Sequence, residues 1–453
     1  MSTTASNPIA TATVATPQAP PAFSCGSGDE QELGKYFICA YPPFGLWKPD
    51  AADAARSVLS SEAKSSEVLG LYVHFPFCVR RCDYCYYKSY ADSTHSDRER
   101  YLDSLDRELA LYSEMPAIAG RKVKFVYFGG GTPSLLTADQ IRKLLDSVKR
   151  YFPWGEVEEA TFECAPDSVH PDKLDALKLG GVTRISLGVQ QFDDRVFEAN
   201  GRVHRVHSIE RAYRAIRERA FPTVNIDLMV GLVGETDATF QHSIERTLTL
   251  EPEGVTIYQL EIPHNTPLYR AVQDRTAAVA LAPWDVKHQR LGAAMRCLVD
   301  SGYALRSAYA AVRDLERDQF LYQDAQYRGA DLLGLGVASF SYFSGVHYQN
   351  ASTVDEYYAP LERGELPLER AYALTREEQM AREFLLQLKL VRVSREYFRR
   401  KFGVDIIARF SPALQEFRRR GMLTWDDRTL SVTMAGLPRV DRMIRAMYLP
   451  AHA

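Results

Sequence analysis

Three cysteines lie close together in the segment Cys78-Val-Arg-Arg-Cys82-Asp-Tyr-Cys85. They follow directly after an apolar stretch, residues 70–77 (GLYVHFPF), which is typical of a buried parallel strand. The chain has seven cysteines in 453 residues. A disulfide framework would spread its cysteines across a short secreted chain, so this clustering indicates a metal site instead.

The number of clustered thiols favours an iron–sulfur cluster over zinc. A [4Fe–4S] cubane has four irons, so three cysteines leave one iron without a protein ligand. That iron can chelate the amino and carboxylate groups of S-adenosylmethionine (SAM) and pass an electron to its sulfonium. A structural zinc site needs four ligands, and His74 is a candidate for the fourth. The spacing therefore predicts a [4Fe–4S] cluster on Cys78, Cys82 and Cys85.

The elements around this segment predict an α/β fold. Amphipathic segments at 96–114, 137–151 and 236–250 predict helices, with Ser96 and Thr137 as N-caps. Strands that alternate with helices form a parallel sheet, and six of them predict an open, partial (β/α)6 barrel. A doubly wound sheet is the alternative, and in both folds chemistry collects at the carboxyl ends of the strands. The predicted strands are residues 70–77, 122–128, 158–163, 184–189, 223–230 and 254–262.

The pattern changes after about residue 275. Helical spacing covers residues 283–301, 374–402 and 407–420, whereas 328–344 is apolar and spaced by glycines. A hairpin at 421–434 and a helix to about residue 447 complete a winged-helix-like, mostly helical C-terminal domain. We expect these units: a flexible leader (1–34), an N-terminal extension (35–69), the partial barrel (70–275), a substrate-side extension (276–372) and the winged-helix-like domain (373–453).

Charge and composition exclude several classes of function. The chain carries 55 basic and 58 acidic residues, a net charge of −3, and no stretch concentrates enough Lys and Arg to bind nucleic acid. No apolar run approaches the roughly 20 residues that span a bilayer. The first 34 residues contain no Lys or Arg, unlike a secretory or transit signal. We expect a soluble, cytoplasmic protein.

A family resemblance rests on the residues before and within the cysteine segment. Leu71-Tyr72-Val73-His74-Phe75-Pro76-Phe77-Cys78, with Tyr84 before the last cysteine, resembles the radical SAM family of oxygen-independent coproporphyrinogen III oxidases. This HemN-like family includes the class C radical SAM methyltransferases. The similarity runs from about residue 70 to near the C-terminus, and it implies a [4Fe–4S] cluster and SAM as cofactors.

The resemblance also implies a set of SAM-binding residues. The segment 129–132 at the end of the second strand lines the methionine part of SAM in the family, and Tyr84 resembles the aromatic that packs on adenine. Carboxylates suit an ammonium or ribose hydroxyls, and Arg grips a carboxylate with two hydrogen bonds. The implied cofactor-binding residues are Tyr72, Tyr84, Gly129, Gly130, Gly131, Thr132, Glu163, Gln190, Arg202, Asp227 and Phe340. No catalytic residue is assigned.

Departures from the family pattern bear on the reaction. The decarboxylases carry a further cysteine after the third cluster cysteine, as Cys-Gly-Cys, where this chain has Tyr86-Tyr87. Haem-binding members carry His-Asn-x-x-Tyr-Trp, which His347-Tyr348-Gln349-Asn350 does not match. The segment 334–340 (GLGVASF), which ends at Phe340, resembles the region that borders a second SAM.

These features favour radical methyl or methylene transfer, or a rearrangement, on a specialised small molecule, with two SAM molecules in the active site. The alternatives are the decarboxylation of coproporphyrinogen III in haem biosynthesis and a haem-binding, chaperone-like role. Tyr86, Tyr87 and Tyr90 beside the cluster segment suit a flat aromatic or tetrapyrrole substrate. The expected partners are that small molecule and a reductant such as flavodoxin or ferredoxin.

Overall fold

A computed structural model describes residues 37–38, 40–62, 68–274 and 280–452. The leader expected over residues 1–34 lies outside these residues. Within them, six strands run parallel and lie side by side in chain order, each with its carboxyl end at the same edge. The strands are β1 (Leu69–Phe75), β2 (Val123–Gly130), β3 (Glu159–Cys164), β4 (Arg184–Gln190), β5 (Thr223–Val230) and β6 (Gly254–Gln259).

The predicted strands are confirmed to within three residues at each end. The largest difference is at β6, which ends at Gln259 although the apolar run continues to residue 262. Residues 260–262 leave the sheet before Pro263, because proline has no N–H to donate and restricts the residue that precedes it. This early end brings Glu261 out of the sheet and onto the site.

Helices connect the strands, and their N-caps are partly as predicted. Thr137 caps its helix, and the Gln140 side chain bonds back to the cap backbone. Ser96 is not a cap. Thr94 takes that role, because Asp97 stands three residues after it and its carboxylate accepts the Thr94 N–H at 2.8 Å. The helix before β1 is α1 (Ala52–Ser60), and the connecting helices are α2 (His95–Glu114), α3 (Ala138–Tyr151), α4 (Pro171–Leu179), α5 (Asp194–Ala199), α6 (Val206–Glu218) and α7 (Asp237–Leu250).

Six further strands extend the sheet on both sides. A short antiparallel pair, β7 (Ala304–Leu305) and β8 (Ala310–Val312), follows β6. On the other side β9 (Asp331–Leu335) lies parallel to β1 and continues as an antiparallel meander. The sheet of the described residues is thus an open arc, the predicted partial barrel. The meander strands are β10 (Phe340–Phe343), β11 (Val346–Asn350) and β12 (Leu368–Ala373); the helices here are α8 (Pro267–Gln273), α9 (Trp284–Asp300), α10 (Leu321–Tyr327) and α11 (Val354–Glu362).

The C-terminal part is mostly helical, with a small sheet formed, in order, by β13 (Arg392–Ser394), β15 (Thr429–Val432) and β14 (Leu423–Trp425). The hairpin around Asp426 is confirmed, whereas the continuous helix predicted over 374–402 is wrong. Val391 has a positive φ of 71°, and the next residues pair with β15, so tertiary pairing overrides the helical pattern. The elements are α12 (Arg376–Gln387), β13 (Arg392–Ser394), α13 (Arg395–Phe402), α14 (Ile406–Arg409), α15 (Ser411–Arg419), β14 (Leu423–Trp425), β15 (Thr429–Val432) and α16 (Val440–Arg445).

Aromatic side chains fill the barrel below the carboxyl ends of its strands. A Cβ added at Gly70 would lie 1.9 Å from the Phe125 ring, so only glycine leaves room for that ring. Tyr127 stacks on Tyr322 of α10, with 4.5 Å between ring centroids. These contacts close the barrel interior from below and leave its upper end for the site. In the described parts of the chain, no helix has the length and apolarity needed to cross a membrane.

Candidate active site

The three clustered cysteines lie on the loop that joins β1 to α2, and the loop is held by its own backbone. Cys78 N–H donates to Tyr90 O at 3.0 Å, and Cys85 N–H donates to Cys82 O at 3.1 Å. The Arg81 guanidinium donates to Cys85 O at 2.7 Å and to Asn265 O at 2.9 Å. These contacts fix the path of the loop, and all three cysteines line one cavity.

The thiol surroundings fit a cluster. Burial raises the pKa of Cys85 to about 12, with the nearby Cys82 as the next cause, and burial also raises the pKa of Cys78. Thiols in such a place become thiolates when a metal binds them. Among the described residues, no three His, Cys, Asp or Glu side chains gather around a single-ion position. A cubane does not require this, because each of its thiolates binds a different iron.

The glycine segment at the end of β2 keeps space free beside the cysteine loop. Gly131 N–H donates to Phe75 O at 2.7 Å, and a Cβ on Gly131 would lie 3.0 Å from Cys78 Sγ. Gly130 has a φ of 115°, and a Cβ there would lie 2.6 Å from the His74 ring. The glycines thus allow β2 to pack against the end of β1 without crowding the thiol. Thr132 Oγ1 also lies 3.5 Å from Cys78 Sγ, as a donor.

Two carboxyl groups face the cavity from β3 and β5, the strands on either side of β4. Glu163 on β3 accepts hydrogen bonds from Tyr127 OH at 2.6 Å and from Gly130 N–H at 3.1 Å. Asp227 on β5 accepts from Ser186 Oγ at 2.8 Å and from Asn225 Nδ2 at 2.9 Å. Burial raises the pKa of Glu163 to about 7 and that of Asp227 to about 6. A cationic ligand in this cavity would favour the ionised carboxylates.

Arg202 is one of the cations that line the cavity. Its guanidinium donates to Tyr84 OH at 2.8 Å and to Gly188 O at 2.9 Å, and it lies 3.6 Å from Cys82 Sγ. It therefore joins the cysteine loop to the end of β4. Gln190, the last residue of β4, has a φ of 71°, and its Oε1 is buried with no partner among the described residues. A strained backbone with an unpartnered polar atom at a cavity wall is typical of a ligand-binding position.

Most of the implied SAM-site residues lie around one cavity of about 470 Å³, a size typical of small-molecule sites. Gly129 stands just behind the wall, since a Cβ on it would meet the Glu163 carboxylate at 3.0 Å. Tyr72 also lies behind it, next to Tyr127 and 3.2 Å from His74 Nδ1. The implied residues that line the cavity are Cys78, Cys82, Tyr84, Cys85, Gly130, Gly131, Thr132, Glu163, Gln190, Arg202 and Asp227.

Phe340 is not brought to this cavity. Its ring stacks on Phe44 of the N-terminal extension, with 4.2 Å between centroids, and meets the edge of Trp47. A Cβ on Gly334 would lie 2.3 Å from Phe340 O, so the glycine permits a tight turn between β9 and β10. The glycine spacing of this segment has a sufficient cause in packing.

One wall of the cavity was not predicted from the sequence. It joins Gln259 and Glu261, at and just beyond the end of β6, to Phe37, Tyr309 and Asp441. Polar residues two positions apart at the end of an apolar run were a usable signal for Gln259 and Glu261. The other three come from distant parts of the chain, and nothing in their neighbouring residues points to a site.

Comparisons with known proteins agree with this geometry. The Radical SAM superfamily domain matches residues 72–247, and the HemN C-terminal domain matches residues 374–439. The anaerobic coproporphyrinogen III oxidase 1 of Cereibacter sphaeroides is 30% identical over 325 residues, 69% of this chain and 70% of the relative. The chain belongs to the HemN-like family of radical SAM proteins. As a member of this family, it uses a [4Fe–4S] cluster and SAM.

Two further matches describe the range of this family. The haem chaperone HemW of Bacillus subtilis is 28% identical, over 81% of this chain and 95% of the relative. The solved structure of coproporphyrinogen III oxidase (HemN) from Escherichia coli superimposes with a TM-score of 0.77 at 24% identity, over 91% of this chain and 96% of that one. The second match confirms the fold, a partial barrel with a mostly helical C-terminal domain.

Proposed function

We propose that this radical SAM enzyme acts on a reduced tetrapyrrole and oxidatively decarboxylates coproporphyrinogen III. The main support is that the three cysteines and polar residues of β3, β4 and β5 line one cavity. Relatives named as coproporphyrinogen III oxidases, at 29–30% identity over about 70% of this chain, supply the substrate class.

In this proposal Cys78, Cys82 and Cys85 would hold the cluster, which would supply the electron for reductive cleavage of SAM. Glu163 and Asp227 accept hydrogen bonds from the SAM ammonium or ribose hydroxyls. Tyr84, held by Arg202 at 2.8 Å, presents its ring to the adenine. These residues bind and orient, and the closed lower barrel excludes water from the reacting atoms.

Decarboxylation of each propionate requires one external one-electron acceptor. A hydrogen atom leaves a propionate side chain and forms 5′-deoxyadenosine, the carboxylate leaves as carbon dioxide, and one electron passes to a one-electron acceptor as the vinyl group forms. The cavity walls keep the propionate next to the SAM site during these steps.

Methyl or methylene transfer with a second SAM is the second candidate. It is favoured by the cysteine loop, where Tyr86 and Tyr87 stack with 4.7 Å between centroids at the place of the decarboxylases' extra cysteine. The position of Phe340 outside the cavity weighs against a second SAM beside it. A haem-ligand role for His347 has no support, because both of its ring nitrogens lie within 3.2 Å of backbone carbonyl oxygens.

Anaerobic turnover with methyl-deuterated SAM and coproporphyrinogen III tests the proposal. Unlabelled 5′-deoxyadenosine together with carbon dioxide supports decarboxylation. Deuterium in 5′-deoxyadenosine and a labelled carbon in the product would support methylene transfer instead. Haem retention without SAM cleavage would indicate a chaperone-like role. Cys78→Ala protein, expected to lack SAM cleavage, is the control.

A further inference from the structure

The cavity wall at the end of β6 joins distant segments of the chain. We call it the β6 wall and define it by Phe37, Gln259, Glu261, Tyr309 and Asp441, all of which line the cavity. These residues belong to the N-terminal extension, the end of β6, the β7–β8 hairpin and α16. None of them belongs to the SAM site implied by the family.

Part of the β6 wall is fully satisfied within the protein. Asp441 accepts from Tyr309 OH at 2.5 Å and from Ile38 N–H at 3.0 Å, and it forms an ion pair with Lys389 at 2.9 Å. Lys389 is fully buried and Asp441 is 6% exposed. This network fixes the wall in place, because each of its charges has a partner.

Two acceptor oxygens on the same wall have no partner among the described residues: Gln259 Oε1 and Glu261 Oε2. The orientation of Gln259 is set, because its Nε2 donates to Pro438 O at 3.1 Å. The Glu261 carboxylate accepts a hydrogen bond from the Phe37 backbone N–H, and its Oε2 remains without a donor among the described residues. A buried polar atom without a partner is costly, so two on one cavity wall indicate donors that a ligand supplies.

We infer that Gln259 and Glu261 bind N–H donors of the substrate, namely the pyrrole N–H groups of the porphyrinogen in the proposed function. The inference rests on that function for its substrate class. Substrate carboxylates are disfavoured at this wall, because Asp441 stands beside Glu261 and Lys389 is already paired. Basic groups that suit propionates, Arg80, His170 and Lys173, line other parts of the cavity.

The electrostatics of Glu261 agree with this assignment. Burial, and then the charge of Asp441, raise the pKa of Glu261 to about 8, while Lys389 and Lys287 act in the opposite direction. A ligand N–H that donates to the carboxylate stabilises its ionised form and compensates for its burial.

The test uses the full-length, cluster-loaded protein and its affinity for coproporphyrinogen III, measured anaerobically by quenching of protein fluorescence. Glu261→Gln keeps the shape of the side chain and the bond from Phe37, but it presents an amide donor in place of an acceptor. We expect affinity to fall about tenfold or more, since one charged acceptor is lost and two donors then oppose each other. The tetra-N-methyl porphyrinogen, which has no N–H, should bind both proteins equally.

Glu114→Gln is the matched control, because Glu114 is an exposed carboxylate at the end of α2 and does not line the cavity. It should leave both affinities unchanged. Equal affinity of wild type and Glu261→Gln for the porphyrinogen would overturn the inference while the proposed function stands. An equal loss for both ligands would also overturn it, since the effect would then be one of shape. If wild type bound no porphyrinogen, the proposed function would fail and the inference with it.

Discussion

The cavity has two sides that are built differently. On the cluster side, Cys78 follows β1, Glu163 and Gln190 stand at the ends of β3 and β4, and Asp227 lies within β5. Each stands in or beside an apolar run that is visible in the sequence. The β6 wall gathers side chains as distant as Phe37 and Asp441, which meet only when the C-terminal domain packs on the barrel. The residues implied to bind the cluster and SAM thus lie on or just after strands of the barrel. The β6 wall, which we assign to the substrate, lies between the barrel and the C-terminal domain.

The two sides also differ in what keeps their polar groups satisfied. On the cluster side, buried thiols and carboxyls carry raised pKa values and depend on cofactors for compensation. On the β6 wall, Asp441 is paired with Tyr309 and with the adjacent Lys389, whereas Gln259 and Glu261 each keep an oxygen with no partner among the described residues. Loss of the cofactors should therefore destabilise the cluster side, and loss of a single ion-pair partner should destabilise the β6 wall.

The largest effect is expected on the cluster side. Replacing Cys78, Cys82 and Cys85 by Ala should abolish the cluster, from about four irons and four sulfides per chain to none, because every protein thiolate is removed. Iron and sulfide assays and the loss of the brown thiolate-to-iron absorption measure this. Cys297→Ala, which replaces a half-buried cysteine on α9, is the control and should keep the cluster. A full cubane in the triple variant would remove these cysteines from the site.

The difference between the two sides explains what the sequence could predict. The six strands and the cysteine loop were predicted because apolar runs and the spacing of thiols are local signals. The SAM-site residues then followed from the family resemblance at the strand ends. Asp441 and Tyr309 gave no such signal, because their role depends on the contact between α16 and the β7–β8 hairpin. The break in the predicted helix 374–402 has the same origin, since pairing of β13 with β15 overrides local propensity.

Loss of one ion-pair partner at the β6 wall should lower the stability of the protein. Lys389→Met leaves Asp441 as an uncompensated buried charge, which should lower the free energy of unfolding by about 3–5 kcal/mol. Urea denaturation of the apo protein measures it. Arg56→Met removes an exposed pair with Asp53 and should change the stability by less than about 0.5 kcal/mol. A Lys389→Met protein as stable as wild type would mean that the wall is not held by this pair.

Replacing Arg202, which lies on the cluster side, should weaken SAM binding. Arg202→Ala removes a buried guanidinium and leaves Tyr84 OH and Gly188 O without their donor. We expect SAM binding to weaken by about 1.5–3 kcal/mol, with Arg202→Lys intermediate because it keeps the charge without the fork. Calorimetry on cluster-loaded protein measures this, with Arg205→Ala, from an exposed pair with Glu198, as the control. Unchanged affinity in folded Arg202→Ala would exclude Arg202 from the site.

The buried carboxyls of the cluster side predict how apo stability depends on pH. The folded pKa of Glu163 is raised to about 7 by burial. Its stabilising contribution is therefore present below the unfolded pKa, near 4.5, and is lost as the pH rises through about 7. The free energy of unfolding of Glu163→Gln should match that of wild type near pH 4.5 and exceed it by about 3 kcal/mol at pH 8, since one pKa unit corresponds to about 1.4 kcal/mol. Glu114→Gln, at an exposed position, should show the same dependence of stability on pH as wild type. If Glu163→Gln also showed the wild-type dependence, the raised pKa of Glu163 would be contradicted.

The smallest effect is expected at Phe340, where the resemblance and the structure point in different directions. If Phe340 borders a second SAM, Phe340→Ala should lower the number of SAM molecules bound per chain. The structure places its ring against Phe44 and Trp47, so we expect SAM stoichiometry and affinity to stay unchanged. The lost ring stacking should lower stability by only about 1 kcal/mol. Phe44→Ala removes the same stack from the other side and should have the same effect on stability. Equilibrium dialysis with labelled SAM decides between the two. A drop from two bound SAM molecules to one in Phe340→Ala, with two retained in Phe44→Ala, would restore the second SAM site and favour methylene transfer over decarboxylation.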